Sequence, residues 1–236
     1  MPIYHKMCAF FVGTSGWFYS WNPERRLDWF VAHSGLNAVE LNASFYRFPF
    51  PNRVKSWADK GKGLRWAVKV SRLVTHIYRF SDEGCDVWAR FRALFEPLDC
   101  LIDFYLFQLP PQMTLREKKK IGDFACSTGL GKRFALECRK DEWFNTETEL
   151  WAKKLGITFV SVDAPTLPLY VFNSSGAVYL RMHGRDRWYQ HNYTARELKE
   201  VAEMVRARNP GVVYVFFNND EDMLKNARTM FKLLSP

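Results

Sequence analysis

Eight short apolar runs, each ending in polar or charged residues, constrain the fold of this chain more than any other feature. Segments with helical patterns separate the runs, and strands of a parallel sheet that is covered on both faces have this apolar character. Eight such strands alternating with helices predict a closed (β/α)8 barrel. The runs are residues 8–16, 38–46, 65–71, 103–110, 133–139, 157–165, 177–184 and 212–220.

The segments between the runs carry start signals for helices. Three of them match the capping box, in which a threonine and a glutamate three residues later satisfy backbone donors of the first turn. The matches are Thr114 with Glu117, Thr146 with Glu149, and Thr194 with Glu197. The crossover between the sixth and seventh strands is irregular, because residues 165–176 are few and include two prolines. With 236 residues, a single TIM-like barrel domain spanning residues 1–236 uses the whole chain.

Polar side chains recur on one face of the predicted strands, near their ends. In the second run Glu40 and Asn42 share a face, while Val39 and Leu41 share the other. Because the outer face of a barrel strand meets apolar helices, we expect the polar face to point into the lumen. Active sites of barrels lie at these carboxyl-terminal strand ends. The polar set comprises Glu40, Asn42, Lys69, Glu137, Arg139, Asp163, Arg181, His183 and Asn218.

Charge and cysteine usage restrict the partners and the compartment. A formal net charge of +9 favours anionic partners such as phosphorylated metabolites or nucleic acid. The five cysteines are scattered without a CxxC pair, which indicates reduced thiols. Residues 1–10 lack the apolar core of a signal peptide, and no apolar stretch approaches membrane-spanning length. These features predict a cytoplasmic protein without a membrane partner.

Several motifs at the run ends occur together and in order. They include Gly13-Thr-Ser-Gly-Trp17, Val39-Glu-Leu-Asn-Ala-Ser-Phe-Tyr-Arg47, Trp66-Ala-Val-Lys-Val70, Arg72-Leu-Val-Thr-His76, Phe107-Gln-Leu-Pro-Pro111, Glu137-Cys-Arg139, Val162-Asp-Ala-Pro165, Tyr179-Leu-Arg-Met-His-Gly-Arg185 and Phe217-Asn-Asn219. With these motifs the chain resembles the YecE-like family, the domain of unknown function 72. The resemblance implies a TIM-like barrel and no established reaction.

Two interpretations of the charged strand ends remain open. Three carboxylates and three cations balance, so they are compatible with a closed network of ion pairs that only fills the lumen. Burying six charges is costly compared with filling a barrel with Val, Ile and Leu, which favours a ligand site instead. The six residues are Glu40, Glu137, Asp163, Lys69, Arg139 and Arg181.

In a ligand site, the cations would bind a phosphate or carboxylate group and the carboxylates would move protons. Glu40 or Glu137 would be the general base and His183 a proton shuttle. Lys69 would form a Schiff base only if burial lowered its pKa, and we expect carboxylate neighbours to raise that pKa instead.

The candidate residues divide by role. The predicted catalytic residues are Glu40, Lys69, Glu137, Asp163 and His183. The predicted substrate-binding residues are Ser15, Trp17, Asn42, Tyr46, His76, Gln108, Arg139, Arg181, Arg185 and Asn218. No motif indicates a cofactor, and no HxH or HExxH spacing identifies metal ligands, although carboxylates and histidine leave a divalent metal open.

The favoured function is an enzyme that acts by acid–base chemistry on a small anionic substrate, with hydrolase, isomerase and lyase chemistry all open. A nucleic-acid-binding or nucleic-acid-processing protein is the first alternative, because arginines and aromatic residues alternate in residues 185–193 and aromatic residues recur in 17–21. A non-catalytic metabolite sensor is the second. The sequence carries no signal for the oligomeric state.

Overall fold

The computed structural model describes residues 9–235, so Cys8 of the first predicted run and the ends of the predicted 1–236 domain lie outside the described residues. Within 9–235 a single sheet has nine parallel strands. They are β1 Ala9–Thr14, β2 Ala38–Leu41, β3 Arg65–Lys69, β4 Ile102–Gln108, β5 Phe134–Glu137, β6 Thr158–Phe159, β7 Ser161–Asp163, β8 Ala177–Met182 and β9 Val212–Phe217.

The strand order shows that the sheet curves into a barrel. It runs β6-β5-β4-β3-β2-β1-β9-β8-β7, so the two edge strands are consecutive in sequence. Val160 alone separates β6 from β7, and its N–H donates to the carbonyl of Leu136 at 2.9 Å. Strands β6 and β7 are therefore two pieces of the sixth predicted strand, and the predicted TIM-like barrel is confirmed.

Helices cover the outside of the sheet between successive strands. Those in the described part of the chain are α1 Leu27–His33, α2 Pro51–Lys60, α3 Asp82–Phe95, α4 Lys118–Thr128, α5 Thr146–Leu155, α6 Ala195–Ala207 and α7 Met223–Leu234, with a short π-helix at Leu73–Ile77. None of these helices combines the length and the apolar character needed to cross a membrane.

The irregular crossover between the sixth and seventh predicted strands is also confirmed. Residues 164–176 contain no helix and instead run along β6 and β7. Hydroxyl groups replace the missing helix contacts: Ser174 accepts from the N–H of Phe159, and Ser161 accepts from the N–H of Phe172, both at 2.9 Å. The ring of Phe172 packs 4.5 Å from that of Phe159. This segment covers the barrel with aromatic packing rather than with a helix.

Two of the three predicted capping boxes form as expected, at Thr114 and at Thr194. The prediction for Thr146 is wrong, because Asn145 caps α5 and accepts from the N–H of Thr148 at 2.9 Å. The Glu149 side chain does not complete a capping box. It accepts instead from the N–H of Asn173 in the irregular crossover, at 2.8 Å.

Side chains alternate across the barrel wall as the sequence predicts. Aromatic rings fill the middle of the lumen, where Tyr179 lies 5.0 Å from Phe104 and 5.2 Å from Phe216. Gly13 lets β1 approach β2 closely, because a Cβ there would lie 2.3 Å from the carbonyl oxygen of Ala38. The charged side chains lie above the aromatic layer, at the carboxyl ends of the strands, and this layer is the floor of the site.

Candidate functional site

Arg181, a fully buried side chain on β8, is the centre of the charged site. Its Nε donates to Oε2 of Glu40 at 2.9 Å and its Nη2 to Oε1 of the same carboxylate at 2.6 Å. Its Nη1 donates to Oε2 of Glu137. Bidentate arginine–carboxylate pairs are strong and directional, so one guanidinium fixes the ends of β2, β5 and β8 relative to one another.

Both carboxylate oxygens of Glu40 accept hydrogen bonds. Besides Arg181, the hydroxyl of Ser15 donates to Oε1 at 2.6 Å and the hydroxyl of Tyr179 donates to Oε2 at 2.5 Å. Burial first, and then the charge of Glu40, raise the pKa of Tyr179 well above its usual range. Tyr179 therefore stays a neutral donor, and both oxygens of the buried Glu40 carboxylate accept hydrogen bonds from protein groups.

Glu137 is held between two arginines. Nε of Arg139 lies 2.5 Å from Oε1 of Glu137 as an ion pair, without hydrogen-bond alignment. Burial acts to raise the pKa of Glu137, but the charges of Arg139 and Arg181 outweigh it and hold that pKa well below its usual range. A carboxylate this hard to protonate is a poor general base at neutral pH. Its contacts indicate that Glu137 orients the arginines rather than moving a proton.

Lys69 is different from the other charged residues of the site. Its side chain is 8% exposed, and no ion pair within residues 9–235 involves it. Its Nζ lies instead 4.0 Å from the centre of the Phe45 ring. Burial, followed by the charge of Arg181, lowers the pKa of Lys69 to about 7. The expectation that carboxylate neighbours raise this pKa is therefore wrong for the net effect: Glu137 and Glu40 act to raise it, but burial and the charges of Arg181 and Arg139 outweigh them.

The ion pairs determine the net charge of the central network. Two carboxylates face two guanidinium groups, so the network formed by Glu40, Glu137, Arg139 and Arg181 is neutral on its own. Protonated Lys69 leaves one surplus positive charge beside it. The closed network of ion pairs therefore contains four of the six charged residues that the sequence predicted for the lumen. Lys69 is not part of it.

A neutral histidine and a tryptophan complete the side formed by β8 and β9. Nη2 of Arg139 donates to Nε2 of His183 at 3.3 Å, and the amide of Asn218 lies 3.1 Å from Nδ1. Burial and then the charge of Arg139 lower the pKa of His183 well below its usual range, so the ring is uncharged. The Trp188 ring covers Arg139, with 4.6 Å between the guanidinium carbon and the ring centre.

The turn after His183 needs a glycine. Gly184 has φ +115°, and a Cβ there would lie 2.5 Å from the carbonyl oxygen of Arg187. Its N–H donates to the hydroxyl of Tyr193 at 2.8 Å. Glycine reaches such backbone angles without strain. The tight turn brings Trp188 back over the site.

His76 and Tyr46 lie on the opposite side, near Lys69. The His76 ring packs 5.1 Å from the Phe45 ring, and burial followed by the charge of Lys69 lowers the pKa of His76 to about 4. Tyr46 is 73% exposed and its ring touches Phe45 edge-on. These two residues line the outer rim rather than the buried network.

The structure brings most predicted residues together but separates four of them. The residues in or beside the central network are Ser15, Glu40, Asn42, Lys69, Glu137, Arg139, Arg181, His183 and Asn218. Asp163 instead pairs with Arg185, which also reaches Glu197 and Glu200 on α6. These two belong to a cluster between the barrel and α6, so Asp163 does not join the central network as predicted, and Arg185, predicted to bind substrate, pairs with carboxylates there.

Trp17 and Gln108 also differ from expectation. The Trp17 ring packs edge-on against Trp57 of α2 and Trp66 of β3, in the layer between the sheet and the helix. Nε2 of Gln108 donates to the carbonyl oxygen of Leu109 at 2.8 Å. Neither side chain makes a hydrogen bond to the network.

Three residues of the site were missed from the sequence. Tyr179 precedes Arg181 by two positions and so shares its strand face, a signal that the alternation argument already contained. Phe45 lies in a short 3-10 helix after β2 and Trp188 in the turn after β8, where no periodicity predicts the direction of a side chain. In the part of the chain that the structure describes, no three His, Cys, Asp or Glu side chains form a group able to hold a metal ion.

The fold and this site together define a TIM-like barrel with a buried charged network at the carboxyl ends of its strands. The family model described as "Protein of unknown function DUF72" matches residues 11–236. The chain therefore belongs to the DUF72 family, as the sequence motifs indicated. No curated protein matches the chain.

Solved structures agree with this assignment. A DUF72 family protein from Thermotoga maritima is similar at 27% identity and TM-score 0.80, covering 96% of this chain and 99% of the other. One from Enterococcus faecalis is similar at 22% identity and TM-score 0.80, covering 96% and 98%. A D-psicose 3-epimerase shares only the fold, at 13% identity and TM-score 0.57, covering 93% and 96%.

Replacing Glu137 by glutamine tests whether the network is closed around Arg181. Removing one charge of a buried pair leaves its partners uncompensated, so we expect Glu137→Gln to lower the free energy of unfolding at pH 7 by about 3–5 kcal/mol. The folded-state pKa of Glu137 is lowered. The difference in free energy of unfolding between the wild type and the variant should therefore shrink as the pH falls below the unfolded-state carboxyl pKa of about 4.3. Urea denaturation at several pH values measures both effects.

The matched control for that experiment is Glu203→Gln, on an exposed position of α6. Its effect should stay within about 0.5 kcal/mol. A loss at Glu137 as small as that at Glu203 would contradict the closed network.

Proposed function

We propose that the carboxyl-terminal mouth of the barrel is the active site of an enzyme that acts by acid–base chemistry on a small anionic substrate, with Lys69 exchanging the proton. One observation carries the proposal: Lys69 is a buried amine against an aromatic ring, while the nearby carboxylates are occupied by arginines. Perturbed groups without a structural partner are characteristic of functional sites.

The carboxylates are not suited to the proton-transfer role that the sequence suggested for them. Glu40 accepts from Ser15, Tyr179 and Arg181, so protonating it would break a bonded arrangement. Glu137 is held as an anion by its arginines. A proton-transfer group works best when its pKa lies near the operating pH, and the pKa of Lys69, lowered to about 7, meets that condition.

The charge of the site favours an anionic substrate. Protonated Lys69 adds a positive charge to a neutral network, and an anion beside it would restore the balance. Arg139, Asn42 and Asn218 are partly exposed and supply further donors at the mouth. Guanidinium groups suit phosphate and carboxylate oxygens. Hydrolase, isomerase and lyase reactions all use a proton-transfer group placed next to such an anion-binding site.

Sulfate titration at constant ionic strength tests this site. We expect sulfate to bind most tightly below pH 7 and its affinity to fall by up to about tenfold per pH unit above 7, as Lys69 loses its proton. Lys69→Met should weaken binding about 10- to 100-fold, since one charge-assisted contact contributes roughly 1.5–3 kcal/mol. Isothermal titration calorimetry measures the affinity.

Lys55→Met is the control for this titration, because Lys55 is exposed on α2 and does not belong to the charged network. It should bind sulfate like the wild type. Equal affinities for wild type and Lys69→Met, without dependence on pH, would contradict the proposed site.

A second candidate function, nucleic-acid binding, is favoured by exposed aromatic side chains at the same end of the barrel. Phe18, Tyr46 and Phe50 are 69%, 73% and 61% exposed, in the segments after β1 and β2. Arg25 lies 5.4 Å from the ring centre of Phe18 and Arg47 lies 5.6 Å from that of Phe50. Aromatic faces beside cations bind bases and phosphates of single strands, and the net charge of +9 favours such a partner.

Salt dependence tests this candidate with a fluorescent oligothymidine and fluorescence anisotropy. If the rim contacts two phosphates, Arg25→Gln combined with Arg47→Gln should reduce the log–log salt slope by about 1.4, at about 0.7 per single-strand phosphate. A double variant with the same charge change, Lys120→Gln with Lys154→Gln on exposed positions of α4 and α5, should keep the slope. Absence of binding at low salt, or equal slopes for both variants, would rule the candidate out.

A further inference from the structure

The backbone of Lys69 is joined to the segment that carries the aromatic ring beneath its amine. The hydroxyl of Ser44 donates to the carbonyl oxygen of Lys69 at 2.6 Å, which joins the end of β3 to the short 3-10 helix Ala43–Phe45. The same helix carries Phe45, whose ring lies 4.0 Å from Nζ. The amine and the ring therefore keep one fixed relationship, and the nitrogen lone pair is not engaged by an acidic partner.

A neutral base lies next to this amine. The hydroxyl of Thr75 lies 2.8 Å from Nδ1 of His76, whereas Nε2 makes no hydrogen bond within residues 9–235. The His76 ring contacts the same Phe45 ring that lies beneath Lys69. Burial first, and then the charge of Lys69, lower the pKa of His76, so its ring is neutral beside the Phe45 ring that it shares with Lys69. His76 is thus placed to pass protons to and from a group bound at Lys69.

We propose that Lys69 is a nucleophile that forms a Schiff base with a small substrate carrying both an aldehyde or ketone and an anionic group. This inference rests on the proposed function, since it uses the same anion site and names the substrate class. The proton that Lys69 exchanges is then the one its nitrogen loses when the carbon–nitrogen bond forms.

The step balances without a further reactant. The neutral amine attacks the carbonyl carbon, a carbon–nitrogen bond forms, and the carbonyl oxygen is protonated to give a carbinolamine. The carbon–oxygen bond then breaks and water leaves. One hydrogen of that water comes from the amine through His76, and the other is a solvent proton, which leaves the iminium with one positive charge.

The site suits both the product and the substrate of this step. The positive charge of the protonated iminium nitrogen lies over the Phe45 ring, where a cation–π contact stabilises it. The anionic group of the substrate is placed toward Arg139, whose Nε and Nη2 face Glu137 and His183, while its Nη1 makes no hydrogen bond within residues 9–235. Burial of the amine keeps an unprotonated fraction available at neutral pH, as nucleophilic lysines require.

Reductive trapping tests the inference. The wild-type protein is incubated at pH 7 with glyoxylate, a small anionic aldehyde, and cyanoborohydride, and the labelled lysines are identified by peptide mass spectrometry. We expect carboxymethylation at Lys69 at a rate at least about 100-fold above that of exposed lysines, because an ordinary lysine with a pKa of about 10.4 is almost fully protonated at pH 7. Sulfate should compete, and His76→Gln should slow labelling about 100-fold.

Two comparisons separate this inference from the function on which it rests. Lys69→Arg keeps the charge but has no nucleophilic amine, so it should still bind sulfate and show no fast labelling. Sulfate binding by wild type and Lys69→Arg, without preferential labelling of Lys69, would overturn the Schiff base and leave the anion site standing. Equal labelling of Lys69 by propionaldehyde would overturn the anionic substrate class. Loss of sulfate binding in the wild type itself would remove the proposed function.

Discussion

The bidentate contact between Arg181 and Glu40, extended to Glu137, is the interaction on which the rest of the site depends. It places a guanidinium that is completely buried between strands from three parts of the barrel. Burying such charges is costly unless every one is paired, and the cost of breaking a pair is larger than the benefit of forming it. The network is therefore rigid, and the charges of its arginines hold the pKa of Glu137 well below its usual range against the effect of burial.

This rigidity explains why Lys69 behaves differently from its neighbours. Two carboxylates are available at the centre, and two arginines already occupy them. Forked guanidinium groups match carboxylates better than an ammonium group does, so the lysine is left against an aromatic ring. In the function that we propose, the unpaired cation, and not the closed network, carries the chemistry at this end of the barrel. The network acts as the fixed support for that one group.

The apolar runs predicted the fold, because a barrel strand must be apolar toward its helices whatever lies inside. Strand alternation likewise predicted that Glu40, Glu137 and Arg181 converge, since the side-chain direction follows from the parity of the position. The ion-pair and hydrogen-bond partners of the polar side chains were not predictable in this way. Asp163 and Arg185 turn toward α6, and Asn145 replaces Thr146 as the cap of α5, because these choices depend on distances between elements that are remote in sequence. The role of Lys69 depends on the same competition for partners.

A direct titration of the Lys69 side chain tests the central claim that this buried amine has no carboxylate partner. Lysine labelled with carbon-13 at Cε reports the protonation of Nζ by NMR, and Lys69→Met identifies the resonance. The account predicts a midpoint near pH 7 for Lys69, well apart from the exposed lysines. A midpoint at or above about 10, the range of an ordinary or ion-paired lysine, would contradict it.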